Sequence, residues 1–375
     1  MADNKDKKVL NVPALRFPEF TGEWKSVHLE DVAEFQKKRI SSDLLNNNNY
    51  ISTENILQNF EGIQYSSSIP TNTNVIEYQK GDILLSNIRP YLKKVWFSDR
   101  KGGCSADVFV LRGDKCDQHF LYYVIASDRF INYVMSGVKG VKMPRGDKNQ
   151  MKKYAFSIPT NTEQRKIAKF LSMLDERIKL QNKIIDKLET LIKGIRHKVF
   201  RQLRKDFGFN STIGDILSFE QPQRYIVSSA EYSNDDTFIP VLTANKAFIL
   251  GYTTETDGIY DKGDCIIIDD FTLDCKYISF PFKVKSSAIK ILTASNKFIL
   301  RYTYEYLKSL ELSTEEHKRH YITEIQPYSC VLPDENTLKT IALVFENLAY
   351  KLANEQSLAL ILNKQRQYLL SKMFI

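Results

Sequence analysis

Apolar residues return at alternating steps of four and three along two long stretches of this chain. The first reads Ile167, Leu171, Leu174, Ile178, Gln181, Ile185, Leu188, Ile192, Ile195, Val199. The second reads Ile341, Phe345, Leu348, Leu352, Glu355, Ala359, Leu362, Arg366, Leu369, Met373. A sustained period of 3.5 predicts a coiled-coil seam rather than the wider stripe of a surface helix. The stretches align without a gap: Pro159 falls on Pro333, Ile167 on Ile341, Leu188 on Leu362 and Phe200 on Phe374. Both break their seam with a polar residue at the same place, Gln181 and Glu355. Such a residue costs stability but can fix register and partner number. Arg366 stands where the first stretch has Ile192, and its long stem is expected to snorkel out of the seam. Each stretch predicts a helix of about 40 residues, on the order of 60 Å at 1.5 Å per residue. A helix that long needs a long partner, and the other copy is the obvious one. Spacing alone leaves the relative direction open, and two unrelated surface helices facing separate cores are the alternative.

The segments before the helices repeat as well. "YISTENI" (50–56), "KGDILLSNIRPYLKKVWF" (80–97), "SADVFVLR" (105–112), the aromatic helix "HFLYYVIASDRFINYV" (119–134) and the basic loop 136–154 form one series. "FIPVLTANKAFIL" (238–250), "KGDCIIIDDFTLDCKYISFPF" (262–282), "SSAIKILTA" (286–294), "KFILRYTYEYLKSL" (297–310) and the polar loop 313–328 form another, in the same order. The expected fold class is α+β: two mixed α/β domains and two long helices in an internal pseudo-twofold repeat. The expected division is a tail (1–19), a first variable domain (20–157), a first long helix (158–205), a second variable domain (206–331) and a second long helix (332–375). A pseudo-dyad suits a nucleic-acid duplex, whose strands carry the same symmetry. Because the halves differ in sequence, the half-sites they read should differ too.

Composition narrows the class. A chain of 375 residues can bury two or three cores, and 43% hydrophobic with 26% charged residues is ordinary for a soluble protein. No apolar run reaches a membrane span, and the polar opening "MADNKDKK" is not a signal peptide, so the expected location is cytoplasmic. Five cysteines without a CxxC pair fit free thiols in a reducing compartment. The net charge of +8 is uneven: +5 over 1–157, +8 over 158–205, −6 over 206–331 and +1 over 332–375. The first two values suit a polyanion partner, and the third argues against one.

Chemistry of its own is not evident. There is no phosphate-cradling glycine loop, no Asn-Pro-Pro-aromatic stretch and no Ser/His/Asp order. "LPDENTLK" (332–339) resembles a nuclease Pro-Asp motif only superficially, since the following acid-x-Lys does not fit. Asp261, Asp264, Asp269, Asp270 and Asp274 could ligate Mg²⁺, but the absence of a glycine-spaced loop favours a negative outer face. His317 and His320 lack a third ligand and read as surface or nucleic-acid contacts rather than a zinc site. No catalytic residue, metal ligand or cofactor is therefore assigned.

Three stretches carry a family resemblance: "VPALRFPEFTGEWKSVHLEDV" (12–32), "KGDILLSNIRPYLKKV" (80–95) and "IPTNTEQRKIAKFLSMLDERI" (158–178). With them the chain resembles the specificity subunit of type I restriction-modification enzymes over essentially its whole length. The second repeat departs from the pattern, with Thr337-Leu338 where the first has Glu163-Gln164. The resemblance implies two target-recognition domains reading a bipartite double-stranded DNA site, and long helices that pair as an antiparallel coiled coil. It further implies docking of two methylation subunits and of restriction subunits, which would carry S-adenosylmethionine, ATP and Mg²⁺.

Loop cations suit phosphates, while Asn, Gln, Arg and Thr at strand ends suit base edges. The first-domain candidates are Lys37, Lys38, Arg39, Arg89, Lys93, Lys94, Lys139, Lys142, Arg145 and Lys148, with Thr53 and Asn55 as base readers. In the second domain they are Gln223, Arg224, Thr243, Asn245, Lys246, Lys276, Lys318 and Arg319. The glycine-punctuated loop 137–146 can bring backbone close to phosphate. Against this stand a merely solvated basic face, a coiled-coil adaptor that binds proteins only, and a nuclease with an unrecognised site.

Overall fold

The computed structural model describes residues 10–138, 142–244, 248–314, 316 and 318–375. Helices and antiparallel-rich sheets make an α+β protein that divides into two compact units. One is Met1–Leu180 with Ala359–Ile375, and the other is Gln181–Leu358.

The 3.5-residue patterns lie on two helices, Asn161–Phe207 and Glu335–Lys372, each of which starts just after its proline. Their first turns are fixed differently. Glu163 is buried; Arg16 donates to it through Nε and Nη2 at 2.7 Å each, and Trp24 Nε1 donates at 3.2 Å. Gln164 donates to the Pro159 carbonyl and accepts from the Asp117 amide. The second helix has Thr337-Leu338 at these places. There Asp334 accepts from the Thr337 amide, and Leu338 is buried instead.

In the first unit Ile167 and Leu171 pack with Leu369, Leu370, Met373 and Phe374, and Leu174 lies partly buried against them. In the second, Leu188 and Ile192 are buried with Phe345, and Ile195, Val199, Ile341, Leu348 and Leu352 pack around them. There Gln181 meets Glu355 while Phe200 meets Phe345, so the helices run in opposite directions. Gln181 donates to Glu355 Oε2 (2.6 Å) and to its carbonyl (3.0 Å), which satisfies the polar break in both stretches with one pair. Ile178 and Ile185 are half-buried, and Ala359, Leu362 and Leu369 are buried.

Arg366 departs from expectation. It does not snorkel outward but is 7% exposed. Asp175 Oδ1 takes its Nε at 2.5 Å, Tyr123 donates to the other Asp175 oxygen at 2.9 Å, and Phe60 underlies the guanidinium at 4.9 Å. A buried cation stays inside when it is paired and hydrogen-bonded. The second unit contains a comparable hub. Glu305 on helix Lys297–Ser309 accepts Arg196 from the first long helix (2.9 and 2.7 Å) and Arg301 (2.8 Å). Arg301 also donates to the Phe345 carbonyl of the second long helix.

The first unit's main sheet orders Ala33–Phe35, Val108–Gly113, Ile83–Ser86 and Val95–Phe97, all antiparallel. A second sheet orders Arg39–Ser41, Asn74–Tyr78, Gly102–Cys104 and Tyr50–Ile51. The predicted single aromatic helix is two, Gln118–Ile125 and Asp128–Ser136, because Ser127 Oγ caps the second by accepting from the Phe130 amide. The second unit's main sheet orders Ser218–Glu220, Ile289–Thr293, Cys265–Asp269 and Cys275–Ile278, again antiparallel. Beside it lie Ile249–Thr253, Ile239–Leu242 and Lys283–Val284. All five cysteines are free, and burial pushes the Cys104 thiol up to about 12.

Glu305→Ala would strand Arg196 and Arg301 in the interior. We expect it to lower unfolding free energy by about 3–5 kcal/mol in denaturant titrations. A loss below about 1 kcal/mol would show that the hub is dispensable.

Candidate nucleic-acid interface

The chain turns sharply after strand Ile83–Ser86. Pro90–Leu92 forms one tight turn, bracketed by Arg89 and Lys93 in the left-handed region (φ 51° and 52°). Non-glycine residues pay roughly 1–2 kcal/mol each for that conformation. A neighbouring loop holds the turn in place. The Arg89 amide donates to the Pro144 carbonyl (2.8 Å), the Gly146 amide donates to the Asn87 carbonyl (3.1 Å), and Ile88 and Arg145 form a β-bridge. Arg145 Nη1 is 2.8 Å from Asp107, whose carbonyl accepts the Asn87 amide.

This pairing gathers much of the first predicted set. Arg89, Lys142 and Arg145 are exposed. The charge of Arg89 reaches Lys94, whose amine is held below its ordinary value chiefly by burial. Lys148 lies over the Phe35 ring at 4.8 Å, and burial followed by repulsion from Lys37 and Lys152 lowers its pKa too. Like charges crowded together at a cost are a reason to expect an anion there.

Other candidates are engaged elsewhere. Lys38 pairs with Glu77, Arg39 donates to the Asn74 carbonyl, and Lys94 donates to the Thr53 carbonyl. Lys93 pairs with Asp128 and lines a cavity of about 390 Å³ with Phe60, Arg129 and Arg366. Asn55 is 4% exposed, and its side-chain oxygen takes both the amide and the hydroxyl of Ser52, so it serves the turn rather than a base edge. Lys139, Asn245, Lys246 and His317 lie outside the described residues.

In the second unit Gln223 and Arg224 are exposed on the turn Pro222–Tyr225. The Thr243 amide donates to Phe248, and Lys276 is half-buried opposite Ile267. Lys318 is taken by Glu316 (2.6 Å) and Glu324 (3.1 Å). Two expectations fail here. Asp269 and Asp270 are not on an outer face but buried, and His320 is 1% exposed. Its Nδ1 stands 2.9 Å from Glu324, and Thr314 and the Glu316 carbonyl are near Nε2. Among the described residues no three His, Cys, Asp or Glu side chains are placed to hold a metal, and no helix is long and apolar enough to cross a membrane.

Sequence reasoning missed Asp107, which holds Arg145, and the half-exposed Tyr91 and Met143 beside the two arginines. The Tyr91 signal was its place in "IRPYLKK"; nothing local marked Asp107.

Residues 21–190 match the family described as type I restriction modification DNA specificity domain. Among curated proteins, the chain is 43% identical over 141 residues to the Type I restriction enzyme EcoR124I/EcoR124II specificity subunit of Escherichia coli. That match covers 36% of this chain and 35% of that protein. It is 28% identical over 129 residues to the Type I restriction enzyme EcoDI specificity subunit of Escherichia coli, covering 33% and 29%. The chain thus spans about a third of the length of these curated relatives. Among solved structures, the type I restriction-modification S subunit from M. genitalium aligns with TM-score 0.67 at 17% identity, over 97% of this chain and 99% of that one. At that identity the likeness shows the fold alone.

We expect Arg145→Ala to weaken duplex binding and flatten the slope of log affinity against log salt by about one if the contact is to phosphate. Fluorescence anisotropy across a salt series reads both. An unchanged affinity would remove Arg145 from the interface.

Proposed function

We propose that this chain is the DNA-specificity subunit of a type I restriction-modification complex, without chemistry of its own. The observation that carries the reading is the paired loop 87–89 and 142–148, which brings Arg89 together with Lys142, Arg145 and Lys148 at a strained turn. Phosphate contacts of this kind set affinity and register, and base-edge contacts set sequence. The second unit reads another half-site, through Gln223, Arg224 and Arg319. Its main sheet repeats the strand order of the first unit's, in support of two recognition domains built on one plan.

The long helices pair as an antiparallel coiled coil through their seams. They also carry apolar side chains away from those seams. Phe170, Met173, Leu180, Ile184 and Leu191 are 39–61% exposed on the first helix, as are Leu343, Tyr350, Ile361 and Tyr368 on the second (39–70%). Exposed apolar stripes of this size call for partner helices, and we assign them to two methylation subunits, with restriction subunits joining that assembly. S-adenosylmethionine, ATP and Mg²⁺ would act on those partners, in the cytoplasm.

A salt titration tests the reading against a protein-only adaptor. Neutralising about five phosphates gives a log–log slope near −4 to −5. Duplex binding that is absent, or flat between low and high salt, would favour the adaptor.

A further inference from the structure

Two opposite charges are buried in the second unit beneath the acidic segment. Asp270 and Lys290 are each 1% exposed, and Lys290 Nζ stands 3.1 Å from Asp270 Oδ2. Taking such a pair out of water is expensive and often adds no net stability, so what the pair organises is the useful question. Its contacts answer it. Lys290 Nζ also donates to Gln221 Oε1 at 2.9 Å, at the start of the turn that carries Gln223 and Arg224. Asp270 Oδ1 accepts the Tyr321 amide (2.8 Å), and the Asp270 carbonyl accepts the His320 amide (2.9 Å). Three consecutive residues, 319 to 321, therefore hang on one buried aspartate.

The third attachment is the looser one. Arg319 Nη1 lies 3.6 Å from Asp270 Oδ2, its side chain is 49% exposed, and its guanidinium sits over the Phe271 ring at 5.7 Å. Its hydrogen bonds to the Ser287 carbonyl and hydroxyl are 3.4 Å each. Structural arginines in this chain look different: Arg112 grips Asp82 with two bonds of 2.7 Å, and Arg196 grips Glu305 at 2.9 and 2.7 Å. Contacts at 3.4–3.6 Å are at or beyond the edge of hydrogen bonding. They aim the guanidinium without consuming its donors. A planar fork, steered from behind by a carboxylate and stacked on an aromatic ring, is the device for edge-on recognition of guanine O6 and N7.

We infer that Arg319 reads a guanine edge in the half-site of the second unit, and that Asp270 is its positioning residue, with Lys290 balancing the buried charge. The inference rests on the DNA-reading proposal above. Through Gln221 the same pair holds the 222–225 turn to the 319–321 loop as parts of one surface.

The test is selection from a randomised duplex library by the full chain together with its methylation subunits. It compares wild type, R319A, R319K, the charge-free pair D270N/K290M, and the triple variant D270N/K290M/R319A. The double variant removes both ions together, so no lone charge is left buried. The wild type should select a bipartite motif with a guanine in one half. R319A and R319K should both lose that guanine preference by about tenfold or more, although R319K keeps the charge. D270N/K290M should lose it at the same position, with the other half unchanged and a melting temperature near wild type. At the guanine position the triple variant should be no worse than R319A, because Asp270 acts there through Arg319; any added loss at neighbouring bases of that half reports the Lys290–Gln221 link to the 222–225 turn. If D270N/K290M does not fold, R319A and R319K decide the guanine assignment, and D270E, which keeps both buried charges but displaces the carboxylate by one methylene, decides the positioning with its melting curve. Retention of the guanine preference in both R319A and R319K would overturn the inference. Retention in D270N/K290M with loss in R319A would overturn the role of Asp270. A wild-type complex that selects no motif would refute DNA reading itself.

Discussion

A helix of 47 residues has no interior of its own. Its apolar seam is stable only where another surface covers it, and in both units that surface includes the other long helix. Everything else is fastened to this pairing through buried polar hubs rather than through apolar contact alone. Tyr123 and Arg366 meet on Asp175 in one unit, and Arg196 and Arg301 meet on Glu305 in the other. In each case a helix of the recognition body is tied to both long helices: Asp175 joins Tyr123 to Arg366, while Glu305 holds Arg196 and Arg301 donates on to the Phe345 carbonyl. Apolar packing tolerates sliding and repacking, whereas a buried ion pair tolerates neither. The hubs set the orientation of the recognition helices on their support.

The same economy of charge governs the candidate DNA surfaces. Lys93 is tied down by Asp128, while Lys38 and Lys318 stay exposed beside Glu77 and Glu316. The arginines offered to solvent are also held from behind: Arg89 by a strained turn, Arg145 by Asp107, Arg319 by the buried Asp270. The acidic character of residues 206–331, which argued against a polyanion partner, stands after folding, because Lys283 and Lys290 are buried along with Asp269, Asp270 and Glu305.

Much of the fold was legible because it is periodic. The 3.5-residue seams, their polar breaks and the order of strands follow from local pattern, and the helix starts follow from Pro159 and Pro333. What was not legible depends on partners remote in sequence. Arg366 reads as a surface residue until Asp175, 191 positions away, is known to meet it. Asp270 reads as part of an acidic face because Lys290, on the neighbouring strand, carries no local mark. The break in the aromatic helix was there to be read, since Ser127-Asp128 is a good N-cap pair, but the apolar run masked it. Of the candidate site, the loop cations were visible as a list of residues. Which of them share a surface was set by the backbone pairing of 87–89 with 144–146, which no spacing rule predicts.

Two recognition units reading two unlike half-sites are what the proposed function requires. Mapping adenine methylation in host DNA, with this gene present and deleted, tests that most directly. The expected result is a motif of two short, different halves around a fixed gap, present with the gene and gone without it. A methylation pattern unaffected by the deletion while the methylation subunits are expressed, or a lost motif that is a single continuous run, would contradict it.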